Sequence, residues 1–403
     1  MPDPRVLRRL GEIFLLLVFV GFAAWMVAGT VRASQQGYLA FSDFFAQWSF
    51  AHFAQAGHGA LIYNPGALHQ FQLTQEPDLR QFFPYPYPPG YLFAVWPLGW
   101  LPFGTAYLAW DAATLALFLW AVFGREWRTR MVAFVALAPV TIISLIYGQN
   151  GLLVSALIVG GMRLMGGRPI VGGVLLGLAT IKPQIGVLIP FALVAAGQWR
   201  TLIAASVTVL LLVVASGLAF GWEMLPGWLH AIANHASYVE QSVNQYLKPT
   251  VMATLTLAGV PLTVAYAIQA LAGVAVTVIV CLCFRRGTDD MSIAALQVGT
   301  FLVTPYAFRY DMPMLANAVF LYVRRRDVGL IDGGIIAAGL LFPAVTTLTT
   351  RFYYVNTLAL FTLFGLVVWH RFTGASAAGN VADLPGQVRD ADCALYCASP
   401  PRP

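Results

Sequence analysis

Apolar runs of near membrane-crossing length recur from one end of this chain to the other, and no other feature restricts its fold so severely. In hydrocarbon there is no water to satisfy peptide groups, so the backbone must close its own hydrogen bonds, as a helix does. A helix needs about 20 apolar residues to cross. Such runs lie near 10–30, 104–123, 131–147, 150–166, 169–181, 184–198, 201–220, 261–284, 291–308, 312–323, 330–348 and 353–370. Only 10% of the 403 residues are charged, against about 25% in a soluble domain. The chain therefore reads as an all-α polytopic membrane protein with no soluble domain.

The first run, over 10–28, follows Arg5, Arg8 and Arg9. No small-x-small cleavage site ends it, so it reads as a retained anchor. Cys281 and Cys283 fall inside an apolar run and Cys393 and Cys397 in a polar tail. Neither pair has the spacing of a disulfide scaffold or a zinc site. A net charge of +6 is no nucleic-acid signal here, because its distribution follows membrane sidedness.

The stretch Pro89–Leu101 is short and proline-broken, which fits an interfacial segment better than a crossing. With it left out, twelve crossings place both termini in the cytoplasm. Of 23 basic residues, 17 then lie inside, among them Arg125, Arg128, Arg130, Arg163, Arg168, Arg324, Arg325 and Arg326. Arg32, Arg80, Lys182, Lys248, Arg309 and Arg351 remain outside. This is the positive-inside bias. Two outer segments exceed simple connectors. Residues 31–103 hold the run Pro84-Tyr85-Pro86-Tyr87-Pro88-Pro89, and 221–250 hold Trp222, Trp228, His230, His235, Tyr238 and Lys248. Their aromatics and prolines predict interfacial helices. Residues 1–372 form the membrane domain; 373–403 read as a disordered cytoplasmic tail.

Asp43 lies a few residues beyond the first run, at the mouth of the expected bundle. An ionisable group near hydrocarbon is expensive and marks a site or a pairing. Ser42-Asp43 also has the chemistry of a helix N-cap, and the two readings are compatible. Tyr147-Gly148-Gln149-Asn150-Gly151 puts two amides between two apolar runs, as a capped turn or as substrate contacts. Lys182, followed by Pro183, is either a snorkelling lysine or a phosphate grip. Arg309 and Asp311, in Arg309-Tyr310-Asp311, either pair together or hold and position a phosphate. Asp111, inside the second run, pairs within the bundle or lines a lipid or sugar path. His52 and His58 are sugar contacts or plain interfacial residues.

Asp43 after the first run, Tyr87-Pro88-Pro89, Gly148-Gln149-Asn150, Gly177-Leu178-Ala179 with Lys182-Pro183, and Pro305-Tyr306 with Tyr310-Asp311 together resemble glycosyltransferase family 87 over about residues 10–370. The resemblance implies a GT-C-type bundle of about twelve helices with interfacial helices in the first outer loop. It implies a polyprenyl-phosphate sugar donor, mannose by family default, and inverting transfer to a glycolipid or glycan. The location implied is the outer face of the bacterial inner membrane. Asp43 maps onto the family's catalytic base, with Lys182 and Arg309 as donor-phosphate ligands. Gln149, Asn150, Tyr310, Asp311, His52 and Tyr87 are the candidate substrate contacts. Phe44 follows Asp43 where a paired acid would stand, so no metal and no other cofactor is expected. Partners are membrane lipid, donor and acceptor, with no nucleic acid; the oligomeric state is not fixed. Two rivals stand beside this reading. A transporter or lipid-linked sugar flippase would show matched halves and midplane charges, and an O-antigen ligase or polymerase would use a histidine such as His230 or His235 in an outer loop.

Overall fold

A computed structural model describes residues 4–35, 42–127, 129–240, 243–325, 328–348 and 353–379, and these contain helices and no strand. Arg128, Arg326, Arg351 and residues 380–403, with Cys393 and Cys397, lie outside them, as does the side chain of His235.

Helix α1 (Pro4–Gln35) is the anchor. The first outer loop then folds into α2 (Ser42–Phe53), α3 (Pro65–Gln75) and α4 (Tyr91–Val95), with short 3₁₀ and π turns between them. The expected short helices are present there. Asn64 caps α3, accepting from Ala67 N at 3.1 Å with Pro65 in the first turn, the favoured start for a helix. Asp43 sits inside the first turn of α2.

The apolar runs follow as α5 (Phe103–Phe123), α6 (Thr129–Leu137), α7 (Pro139–Tyr147), α8 (Gly151–Leu164), α9 (Pro169–Leu178), α10 (Leu188–Ala195) and α11 (Trp199–Phe220). The second half holds α12 (Met224–Glu240), α13 (Val251–Leu257), α14 (Leu262–Arg285), α15 (Asp290–Val303), α16 (Met314–Val323), α17 (Leu330–Leu348) and α18 (Tyr353–Gly379). Helix α18 carries on into the segment expected to be a disordered tail.

Each apolar run contains a helix, but the expected count of twelve crossings is not confirmed. Among the described residues five helices are long and apolar enough to cross: α1, α5, α11, α14 and α18. A sixth is gained if α6 and α7, bent by 56° at their junction, make one span. The other runs break early. Helix α8 has 14 residues and α16 has 10, so they are about 21 and 15 Å long, short of a hydrocarbon core of about 30 Å.

The breaks are where the polar residues are. Helix α7 ends at Gly148 (φ 58°), whose N–H turns back to Leu145 O, the left-handed stop that glycine permits. Two 3₁₀ turns around Lys182 separate α9 from α10. Irregular backbone from Thr304 to Pro313, holding a 3₁₀ turn over Arg309–Asp311, separates α15 from α16. Irregular backbone at membrane depth is tolerated where protein surrounds it, and here it does. Gln269 of α14 donates to Leu302 O and Val303 O at 2.8 and 3.1 Å, tying down the end of α15. Ser155 Oγ of α8 accepts from Met314 N at 3.2 Å, holding the start of α16. Small residues bring the helices close: a Cβ on Gly173 of α9 would stand 2.4 Å from Thr201 O of α11.

Candidate active site

The three breaks meet beside the start of α2. A Cβ built on Gly151 would lie 1.9 Å from Tyr310 O, so the turn before α8 and the turn before α16 touch backbone to side-chain position. A Cβ on Gly148 would lie 2.5 Å from Phe44 Cβ, which presses the same turn against α2. These approaches bring residues far apart in sequence into one cluster.

Asp43 is half-buried there, and Gln149 Nε2 donates to its Oδ2 at 3.2 Å. That is its carboxylate's one hydrogen bond among the described residues, so it does not cap its own helix. Burial raises its pKa above the ordinary carboxylate range; the Gln149 bond and then Arg309 and Lys182 pull against that rise. Both cations are thus close enough to favour the ionised form.

Gln149 is held in turn. Its Oε1 accepts from Gln47 Nε2 at 3.2 Å and from Tyr87 OH at 3.3 Å. Tyr91 OH donates to Gln47 Oε1 at 2.5 Å. The Tyr-Pro-Pro run places these tyrosines: the rings of Tyr87 and Tyr91 lie 4.3 Å apart, and Tyr63 OH bonds Tyr87 O at 2.7 Å. Burial raises the pKa of Tyr87 and Tyr91, so both are neutral donors.

Lys182 is 4% exposed and already compensated. Its Nζ donates to Asp311 at 2.5 Å and to Asn150 Oδ1 at 3.0 Å, with the Tyr310 ring 5.3 Å away. The other oxygen of Asp311 accepts from Phe308 N at 3.0 Å. Arg309 is different. Its Nη2 donates to Tyr147 OH at 2.8 Å, while its buried Nη1 has no hydrogen-bond partner among the described residues. A buried donor without a partner is costly and is free to take an anion. Asp311 therefore pairs with Lys182 and not with Arg309, as neither sequence reading had it.

Of the candidates, Asp43, Tyr87, Gln149, Asn150, Lys182, Arg309, Tyr310 and Asp311 come together. His52 does not. It stands nine residues along α2 from Asp43, about 13 Å by helical rise, edge-to-face with Trp48, the ring centroids 4.3 Å apart. Burial lowers its pKa and leaves a neutral imidazole. His58 packs on Phe53, and His230 bonds Pro226 O on the surface. Three participants were missed: Gln47, Tyr91 and Tyr147. Gln47 is one turn from Asp43, and i, i+4 spacing on α2 was the signal that exposes it. Lys248, 3% exposed, extends the aromatic wall, lying over Tyr306 and Phe308 at 5.5 and 5.7 Å. Among the described residues no group of three His, Cys, Asp or Glu side chains could hold a metal ion.

The family model of glycosyltransferase family 87 matches residues 85–305, more than half of the chain. No curated protein and no solved structure matches it significantly. The matched stretch includes Tyr87, Gln149, Asn150 and Lys182, begins after Asp43 and stops just before Arg309. With apolar spanning helices around a buried polar cluster and this match over most of its length, the chain belongs to glycosyltransferase family 87, a family of membrane glycosyltransferases.

Proposed function

We propose that this protein moves a hexose, mannose by family default, from a polyprenyl phosphate to a hydroxyl of a glycolipid or glycan, at the outer face of the bacterial inner membrane. One observation carries the reading. A half-buried carboxylate, Asp43, and a buried guanidinium with an unused donor, Arg309, share one cluster built by three helix breaks.

Asp43 takes the proton of the acceptor hydroxyl as its oxygen attacks the anomeric carbon. The bond from that carbon to the phosphate oxygen breaks, and the electron pair leaves on the phosphate. Arg309 holds the departing phosphate through Nη1. A planar guanidinium suits that oxygen geometry. Lys182, engaged by Asp311 and Asn150, positions the turns and adds positive field. A general base contributes about 10²–10⁴-fold, and stabilising the leaving charge adds about 10²–10³. Single displacement inverts the anomeric centre. No step requires a metal or other cofactor. The arginines at the far ends of α5, α8 and α16, namely Arg125, Arg163 and Arg324, support an outward-facing site.

The test is donor dependence in proteoliposomes of the purified chain. Labelled mannosyl phosphopolyprenol should yield a new glycoside, whereas a nucleotide-linked mannose should not. Label crossing the bilayer with no new glycosidic bond would replace this reading by the flippase one.

A further inference from the structure

A cavity lies away from the Asp43 cluster, at the opposite ends of the same helices. Its volume is about 250 Å³, equal to about eight waters of liquid. The C-terminal ends of α5, α8 and α16 and the start of α15 enclose it. Its ionised lining residues are Arg163, Arg324, Glu126 and Asp290, and none of these takes part in the sugar-transfer site.

Two guanidiniums and two carboxylates line it, and a third guanidinium, Arg325, also draws on Asp290. Asp290 is shared, accepting from Arg325 at 2.6 Å and lying 3.3 Å from Arg324. Glu126 is exposed at the mouth. Arg163 has no carboxylate partner among the described residues. Its Nη1 donates to Trp120 O and Ala121 O, at 3.2 and 3.0 Å, at the end of α5. Nε and Nη2 make no hydrogen bond there, leaving three of five donors unspent. Gly124 (φ 56°) ends α5, and any Cβ on it would collide with the Arg163 guanidinium. Arg324 is exposed, with its guanidinium 5.7 Å over the Phe320 ring. At the floor, Asn317 is 2% exposed and its Nδ2 is spent on Gln297 Oε1 at 3.0 Å. Its Oδ1 makes no hydrogen bond among the described residues.

Two exposed guanidiniums on one cavity, Arg163 with three unspent donors, suit an anion with several acceptor oxygens, and phosphate fits that geometry. An amide oxygen beneath them accepts from a hydroxyl. Its walls include the buried apolar side chains Phe123, Met162 and Phe320. Basic pockets between spanning helices are a recognised way to hold anionic headgroups. We infer that this cavity binds the phosphate of a hydroxyl-bearing anionic phospholipid headgroup, gripped by Arg163 and Arg324.

The test uses the purified full-length chain in neutral detergent, with native mass spectrometry for bound lipid and the thermal midpoint as a second readout. Phosphatidylglycerol should be retained about tenfold better than phosphatidylcholine and should raise the midpoint by mass action. Arg163→Gln with Arg324→Gln should abolish that preference. Thr288→Trp, which fills the cavity and leaves both arginines, should abolish it too and guards against a merely misfolded double variant. Inorganic phosphate that displaces the lipid would assign the cavity to the free ion; failure to displace it assigns the cavity to the lipid headgroup. Equal retention of the two lipids, or a preference that survives both variants, overturns the inference.

Discussion

At the scale of single residues, the chemistry rests on how differently two cations are held. Lys182 is spent on Asp311 and Asn150, whereas Arg309 keeps a donor in reserve. Arg309→Ala should therefore lower turnover by about 10²–10³-fold, and Arg309→Lys should restore little, since the planar fork is lost. Steady-state kinetics with varied donor would check both. Asp43 makes a pH prediction. Burial raises its folded pKa, and a base must be deprotonated, so turnover should fall as pH drops through that raised value. The acid limb should lie above the ordinary carboxylate range and vanish from the residual rate of Asp43→Asn. The sign for stability is opposite to that of a salt-bridged carboxylate. A raised pKa means the fold disfavours the ionised form, so Asn at 43 should leave the thermal midpoint at neutral pH unchanged or higher. Most of this cluster was legible as isolated polar residues in apolar surroundings. Gln47 had a signal in its i, i+4 spacing from Asp43, whereas Tyr91 and Tyr147 had none, because a tyrosine is unremarkable until its partners across the fold are known. The pairing of Lys182 with Asp311, 129 positions apart, was hidden for the same reason.

At the scale of elements, the breaks between helices do the positioning. Gly151→Ala would drive a Cβ into Tyr310 O, a backbone atom, and Gly148→Ala would meet both a positive φ and Phe44. Each should destabilise by about 3 kcal/mol or more, seen as a lowered thermal midpoint in detergent, while Gly104→Ala in open space should not. The Lys182–Asp311 pair ties the second break to the third. Lys182→Met alone should cost about 3–5 kcal/mol by stranding Asp311, and adding Asp311→Leu should recover much of it. Denaturation of the single and double variants measures that recovery. The helical runs themselves were plain in the sequence. Their lengths were not. A proline, a glycine or a 3₁₀ turn within an apolar stretch shortens a helix without lowering its hydropathy, so a tally of apolar runs gives twelve where, among the described residues, five or six helices have the length to cross.

At the scale of the whole molecule, charge and site separate to opposite ends. The helices that carry Asn150 and Met314 at one end carry Arg163 and Arg324 at the other. In a cysteine-free background, Glu76→Cys should react with an impermeant maleimide on intact cells, and Arg168→Cys only after the membrane is opened. The reverse pattern would invert the orientation. The central claim is that Asp43 is the base of a lipid-linked sugar transfer, and it is tested most directly by labelled mannose incorporation from mannosyl phosphopolyprenol, with wild type and Asp43→Asn compared at equal folded protein. The account predicts glycoside formation by wild type and a loss of about 10²-fold or more in the variant. Equal incorporation by the two would contradict it.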